Sequence, residues 1–422
     1  MGSYCSIQFD ELEVCISKSV VPDIFCAIFQ EADRLVRRSR DEDDEDPDVV
    51  YEATRDVVLA RLDLLGCTNT VVKERLAAWL EAERATWEGY VANDREWALE
   101  TAQALRELTP EEWYVRAPEV LATRYEREEP VDVIDRHMRD HNDSWLWFDG
   151  YGSLVGLRAL LDACHDVKVV TLDITALIGG GWLDKDEKVC ETRREADVLE
   201  PRPLAPTVVL GEGSSDIRVL QRSLAVLFPE RQDYFSFFNH AELSVDGGTT
   251  YLVKFLKAFA AARAPFRMVA VFDNDTTGLQ AYRQVSTLRL PDNIIVVRLP
   301  DTELAKAYPT VGPQGRHVVD VNGQAAGIEL YLGRAALTAD GELRPVRWTG
   351  YNQAARAYQG EVEAKTEVES TFLDALATFS NPADARAAFP ELVSVWEAIF
   401  RAVERSAESA ERKLHGRVRA EA

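Results

Sequence analysis

The sequence predicts a mainly parallel α/β core between an N-terminal α+β domain and a C-terminal helical region, and three observations carry that expectation. The apolar run Val208-Val209-Leu210 stops at Gly211-Glu212-Gly213, and a helical pattern with Asp216 in its first turn follows. A second run, Val269-Ala270-Val271-Phe272, stops at Asp273-Asn274-Asp275, again ahead of a helical pattern. Strands and helices alternate through this stretch, as they do in a parallel sheet with helices on its faces. Ligands of such sheets bind beyond the carboxyl ends of the strands, where these acids lie.

Taken in order, the run Asp41-Glu42-Asp43-Asp44-Glu45-Asp46-Pro47-Asp48 reads as an exposed loop, because nothing in it can pack. Between Val50 and Leu108 apolar residues recur at helical spacing: Leu59, Leu62 and Leu65, then Leu76, Trp79 and Leu80. Trp79, Trp87, Trp97, Trp113, Trp145 and Trp147 read as core anchors, with an aromatic protein-binding face as the alternative. Residues 167–178 alternate and are β-branched, a strand that Gly179-Gly180-Gly181 ends. Pro201, Pro203 and Pro206 mark a domain boundary.

Past the prolines, the pattern gives strand 207–210, helix 215–228, strand 234–238, helix 251–262 opened by a threonine cap, strand 268–272, helix 277–285 and strand 294–298. Residues 358–379 and 391–414 read as helical. The expected domains are therefore 1–200, 205–335 and 336–422.

At 422 residues the chain exceeds one ordinary core, and 46% hydrophobic content excludes disorder. No apolar stretch is long enough for a membrane span and no basic-then-apolar leader opens the chain, so a cytoplasmic protein with no membrane partner is expected. Cys5, Cys15, Cys26, Cys67, Cys164 and Cys190 are scattered without a CxxC pair, which argues for buried free thiols rather than disulfides or zinc. A net charge of −24 excludes a nucleic-acid binder that uses its whole surface. The charge is uneven: residues 1–50 hold thirteen acids and five bases, whereas 231–300 hold eight bases and six acids. Two of those six are Asp273 and Asp275, so with both neutralised by a metal a phosphate backbone can dock there. Solvated helix faces are an equally simple reading of the same bases.

Glu212 lies between glycines that let the backbone turn sharply and a phosphate or metal approach. Asp216 also suits a helix N-terminus, and Asp275 an N-cap. Asp273 ends an apolar strand, where a lone carboxylate is costly without a cation or a donor. Glu329, in Gly327-Ile328-Glu329-Leu330, is the third acidic cluster. Converging carboxylates repel unless something positive sits between them, and Mg²⁺ or Mn²⁺ suits oxygen ligands. Metal-assisted phosphoryl transfer follows, with two ions or with one ion and Glu212 as acid/base.

A strand followed by Glu212-Gly213, and later a strand followed by Asp273-Asn274-Asp275, resembles a Toprim domain, the Rossmann-like metal-binding α/β fold of topoisomerases, bacterial primases and the overcoming-lysogenization-defect nucleases. Asp216, four residues after Glu212, and Glu329 in Gly-Ile-Glu-Leu-Tyr resemble the nuclease branch. The resemblance covers about residues 205–335 and implies that Glu212, Asp216, Asp273, Asp275 and Glu329 bind metal. It also implies an assisting base, for which Lys254 and Lys257 are candidates, with Lys254 put first. The opening Met1-Gly2-Ser3-Tyr4, Ser17-Lys18-Ser19, the acidic loop, Tyr234-Phe235-Ser236-Phe237 and Ile328-Glu329-Leu330-Tyr331-Leu332-Gly333 are similar to bacterial HEPN/Toprim-associated proteins. That likeness implies a role in phage defence, with an N-terminal module for sensing, a protein partner or self-association. The chain departs from its better-known relatives in lacking a G-x-x-x-x-G-K-[ST] motif and an evident DNA-cleaving tyrosine domain.

The function expected is a Mg²⁺- or Mn²⁺-dependent nuclease, with Glu212, Asp273, Asp275 and Lys254 catalytic and DNA ahead of RNA as substrate. The alternatives are a non-cleaving module that senses nucleotide or nucleic acid through a partner, and nucleotidyl transfer. Arg136 and His141 form an R-x4-H spacing used by HEPN ribonucleases, but on what reads as an exposed charged helix or loop. His137 and His141 lack a third zinc ligand.

Overall fold

Five short strands build the first sheet. In β1, Tyr4–Phe9, the side chains of Cys5, Ile7 and Phe9 are buried while Tyr4 is exposed. With β2 Leu12–Lys18, β3 Arg34–Arg37, β4 Asp48–Thr54 and β5 Val169–Asp173 it forms an antiparallel sheet in the order β2-β1-β5-β4-β3. The computed structural model describes residues 2–37, 47–126, 132–141, 145–150, 153–197, 205–238 and 247–421. The loop expected at Asp41–Asp46 and the boundary prolines Pro201 and Pro203 lie outside these residues. The chain divides into two units, Met1–Leu204 with Glu411–Ala422, and Ala205–Ala410.

In the first unit, helices Arg55–Leu64, Asn69–Ala92, Pro110–Thr123 and Leu154–Ala163 share one hydrophobic core with the sheet. Trp113, Trp145 and Trp147 are buried in it, and Trp113 Nε1 donates to the Trp145 carbonyl at 2.9 Å. Trp97 is instead 63% exposed. The buried guanidinium of Arg61 is held by Asp33 at 2.6 Å and by the Ile28 carbonyl at 2.9 Å, the pairing a buried charge requires. Two local expectations are corrected. The helical pattern from Val50 begins inside β4, and the strand read over 167–178 is β5 followed by a short helix Thr175–Gly179. There the Asp173 carboxylate accepts from the Thr175 N–H at 2.9 Å and turns the chain.

The second unit has strands β6 Thr207–Leu210, β7 Phe235–Phe237, β8 Met268–Phe272, β9 Asn274–Asp275 and β10 Ile294–Arg298. Four of them form an all-parallel sheet, β10-β8-β6-β7. Every residue of β8 is buried, as expected of a strand covered on both faces. Helices Ser214–Leu227, Thr249–Ala262 and Thr276–Ser286 follow β6, β7 and β9. Leu252 and Leu256 pack with Leu210, Phe272 and Val285 in one core.

Residues from 336 on are not simply helical. β11 Tyr308–Gly312, β12 Gly315–Val319, β13 Ala325–Ala326, β14 Thr338–Ala339, β15 Glu342–Leu343, β16 Val346–Asn352 and β17 Ala357–Val362 precede the helices Lys365–Leu376, Pro382–Ala388 and Pro390–Glu421. A second sheet runs β12-β11-β16-β17. β16 is mostly exposed, so it lacks the apolar run that marks a strand in sequence. Among the described residues no helix is long and apolar enough to cross a membrane, and all six cysteines are free.

Candidate active site

Two parallel neighbours, β6 and β8, end side by side, so Glu212 and Asp273 emerge at the same edge. The Asp273 N–H donates to Glu212 Oε1 at 3.1 Å, and Thr249 Oγ1 donates to Glu212 Oε2 at 2.9 Å. The helix starts at Thr249 with Gly248 as its N-cap, so no threonine caps it, and Thr249 instead holds the glutamate. Burial and the nearby Asp275 charge push the Glu212 carboxyl up to about 7, against the pull of its two donors.

Asp216 folds back on its own turn, accepting from the Gly213 N–H at 2.8 Å. Burial first, then the Glu329 charge, raise it to about 6. Asp275 is the N-cap of helix Thr276–Ser286: Oδ1 accepts from the Gly278 N–H at 2.7 Å and from Thr277 Oγ1 at 3.0 Å. Its Oδ2 accepts from Gln359 Nε2 at 2.5 Å. Three donors thus occupy this carboxylate. Gly278 is needed here, since a Cβ would stand 2.4 Å from the Asp273 carbonyl oxygen.

Glu329 arrives by a long-range pairing. β13 lies antiparallel on β9, with Ala326 opposite Asn274 and Ala325 opposite Asp275. The residues after β13, Gly327 to Glu329, are thereby laid against Asp273. A Cβ on Gly327 would stand 2.7 Å from Glu329 Oε2 and 3.4 Å from Asp273 Oδ2, so the two carboxylates face one point. Among the described residues no hydrogen bond reaches an oxygen of Asp273. Burial and then the Asp216, Glu212, Asp275 and Glu329 charges push its carboxyl well above the usual range.

The structure therefore brings the other four sequence-predicted acids close enough to Asp273 for their charges to act on it; Asp273, Asp275 and Glu329 line a cleft of about 230 Å³ with Gly327, Gln359 and Lys365 among others, whereas Glu212 and Asp216 do not line it. It does not bring Lys254 there; Lys254 is exposed and lines a neighbouring cleft. The cation in the acidic cleft is Lys365, whose Nζ lies 3.3 Å from Glu329 Oε1 and 3.6 Å from Glu361 Oε2. Sequence reasoning passed over it because it belongs to no motif and opens a helix far along the chain.

Asn274 was likewise overlooked. It is fully buried, donating from Nδ2 to Asp301 at 3.1 Å and to Asn322 at 3.2 Å, while Oδ1 accepts from Arg298 and from the Gly323 N–H. These bonds lock the turn that presents Asp273.

Among the described residues, no group of three or more His, Cys, Asp or Glu side chains is arranged to hold a metal ion. Asp275 and one oxygen each of Asp216 and Glu329 are engaged by the bonds just described. The open pair is Asp273 Oδ2 and Glu329 Oε2, both hard oxygen donors. Mg²⁺ is commonly held by one or two carboxylates with its remaining positions on water or phosphate, so the residues fit it.

Of the histidine pair in the first unit, His141 is exposed as expected but His137 is not. Helix Val133–Asp140 buries Ile134, His137 and Met138, and the His137 ring packs between those of Trp87 and Trp145 at 4.8 and 4.6 Å. Burial lowers His137 to about 4, so it is neutral at pH 7.

Residues 1–196 match the family model described as HEPN/Toprim N-terminal domain 1, which associates the chain with HEPN and Toprim proteins. No curated protein and no solved structure matches the chain.

Proposed function

We propose that the second unit is a Toprim-type centre of the nuclease branch that hydrolyses phosphodiester bonds with Mg²⁺ or Mn²⁺. One observation carries the reading: acids at two parallel strand ends, joined by Glu329, crowd around Asp273, the carboxyls of Glu212, Asp216 and Asp273 are raised, and Lys365 is the cation among them. Such crowding costs stability and persists where it serves a bound cation. Asp273 and Glu329 would hold the metal, with Asp216 flanking them. When bound, the ion polarises the phosphoryl oxygen and lowers the pKa of attacking water.

The chain's own groups supply the rest. Glu212, at about 7, is poised to take the proton of the attacking water. Asp275 fixes the helix behind Asp273, and Lys365 orients Glu329 and adds positive charge where charge develops on phosphorus. The match over residues 1–196, with the resemblance of the N-terminal motifs, supports an effector of anti-phage defence.

A second reading is a non-cleaving nucleic-acid sensor. The engaged state of Asp275 and the lack of a group of three ligands arranged to hold a metal ion among the described residues favour it. Incubating the protein with supercoiled plasmid and with structured RNA, in Mg²⁺, Mn²⁺ or EDTA, separates the two. Metal-dependent cutting lost in Asp273→Asn supports the nuclease; metal-dependent binding without cutting supports the sensor.

A further inference from the structure

Beside the acidic cleft lies a larger one, about 500 Å³, with the opposite electrostatic character. Its wall on helix Thr249–Ala262 carries Lys254 and Lys257, three residues apart and so on one face. Its wall on helix Thr276–Ser286 carries Gln280 and Gln284, one turn apart. Asn352 Nδ2 donates to Gln280 Oε1 at 3.2 Å, which leaves the Gln280 amide N–H groups as donors. Among the described residues no acid and no aromatic residue lines this cleft. Both lysines are exposed, and among the described residues neither forms an ion pair. On a chain with a net charge of −24, two unpaired cations converging on one cavity define where an anion is received.

The two clefts have no lining residue in common, but hydrogen bonds join the basic cleft to the acids. Thr249 lines the basic cleft and donates to Glu212, and Thr277 lines it and donates to Asp275. A strand seated in one is therefore led to the carboxylates of the other. The geometry points to the Lys254–Lys257 cleft as the seat of the phosphodiester backbone that flanks the bond to be cut, an inference that rests on the nuclease reading only for what happens next door. With no aromatic platform to stack a base, the cleft grips phosphate and reads no sequence. Lys254 is then a substrate-positioning residue.

The test is fluorescence anisotropy of labelled single-stranded DNA, duplex DNA and RNA of one sequence, titrated with the full chain in EDTA and in Mg²⁺ between 50 and 200 mM KCl. The Asp273→Asn background keeps the probes whole. Adding Lys254→Gln with Lys257→Gln is expected to weaken binding about tenfold or more and to flatten the salt slope by about 1.4 for single strands or about 1.8 for duplex. Lys254→Arg with Lys257→Arg should retain both, which separates lost charge from a disturbed fold. Unchanged affinity and slope in the glutamine pair, equal loss in the arginine pair, or no binding by the parent would each overturn the inference. Because binding is read without cutting, lysine-dependent binding by a protein that cleaves nothing keeps this site and removes the nuclease; cleavage with lysine-independent binding does the reverse.

Discussion

The backbone N–H of Asp273 donates to the Glu212 carboxylate at 3.1 Å, so the acid that ends one strand is tied to the acid that follows its neighbour. A slip of β8 against β6 would break this bond, and the register Val209 opposite Val269 is what maintains it. Packing of the apolar sheet thereby sets the spacing of the charged site.

Asp273→Asn removes one charge from a crowded cluster. Cleavage should fall to background in plasmid and RNA assays. The metal-free variant should melt about 2–4 °C higher than wild type at pH 8, corresponding to about 1 kcal/mol of relieved repulsion, and no higher at pH 5. A variant that cuts like wild type would remove Asp273 from the mechanism.

The metal-free protein should lose stability as pH rises. Glu212 at about 7 and Asp216 at about 6 lie above their values in an unfolded chain, near 4. The folded state therefore holds extra protons between about pH 4 and pH 7, and the stability they confer is full below that window and lost as pH climbs through it. Melting in EDTA from pH 5 to pH 8 measures this. Mn²⁺ at about 100 times its Kd should restore about 2.7 kcal/mol at pH 8, with little effect at pH 5.

Gly327→Ala places a methyl group where Glu329 and Asp273 meet. The backbone there has φ −70°, which alanine adopts without strain, so metal-free melting should barely change. Displacement of the Glu329 carboxylate should cut activity at least about tenfold and abolish the stabilisation by Mn²⁺, as one step of 1.4 kcal/mol or more in transition-state energy.

Lys365→Met should lower the cleavage rate by about 10²–10³, the usual cost of one preorganised charge at a phosphoryl centre. Lys365→Arg should recover part of it. Equal melting temperatures in the two variants would show that the loss is chemical.

Asn274→Ala strips the bonds to Asp301, Asn322 and Gly323 and leaves their polar groups unmatched. A loss of about 1–3 kcal/mol is expected in urea unfolding, together with reduced cleavage from a loosened Asp273 turn.

The sequence made β6, β8 and β10 legible to the residue, because each is an uninterrupted apolar run bounded by turn residues. Glu212 and Asp273 were legible for the same reason, as acids at the ends of such runs. Lys365, Gln359 and Asn274 were not, because their roles depend on contacts between distant segments. Gln359 reaches Asp275 from β17, whose sequence Ala-Tyr-Gln-Gly-Glu-Val carries a glycine and too few apolar residues to mark a strand. Lys254 was legible as a basic residue near the site, yet the helix that carries it turns it toward the neighbouring cleft.

The pairing of β13 on β9 also bears on synthesis. Glu329 and Lys365 enter the acidic cleft only after the segments that carry them have left the ribosome and the late strand has zipped onto the early one. A nascent chain that has completed β6 to β10 holds Glu212, Asp216, Asp273 and Asp275 without the partner carboxylate or the lysine. During translation the acidic cluster is therefore unfinished, and a product that stops before residue 329 lacks both Glu329 and Lys365.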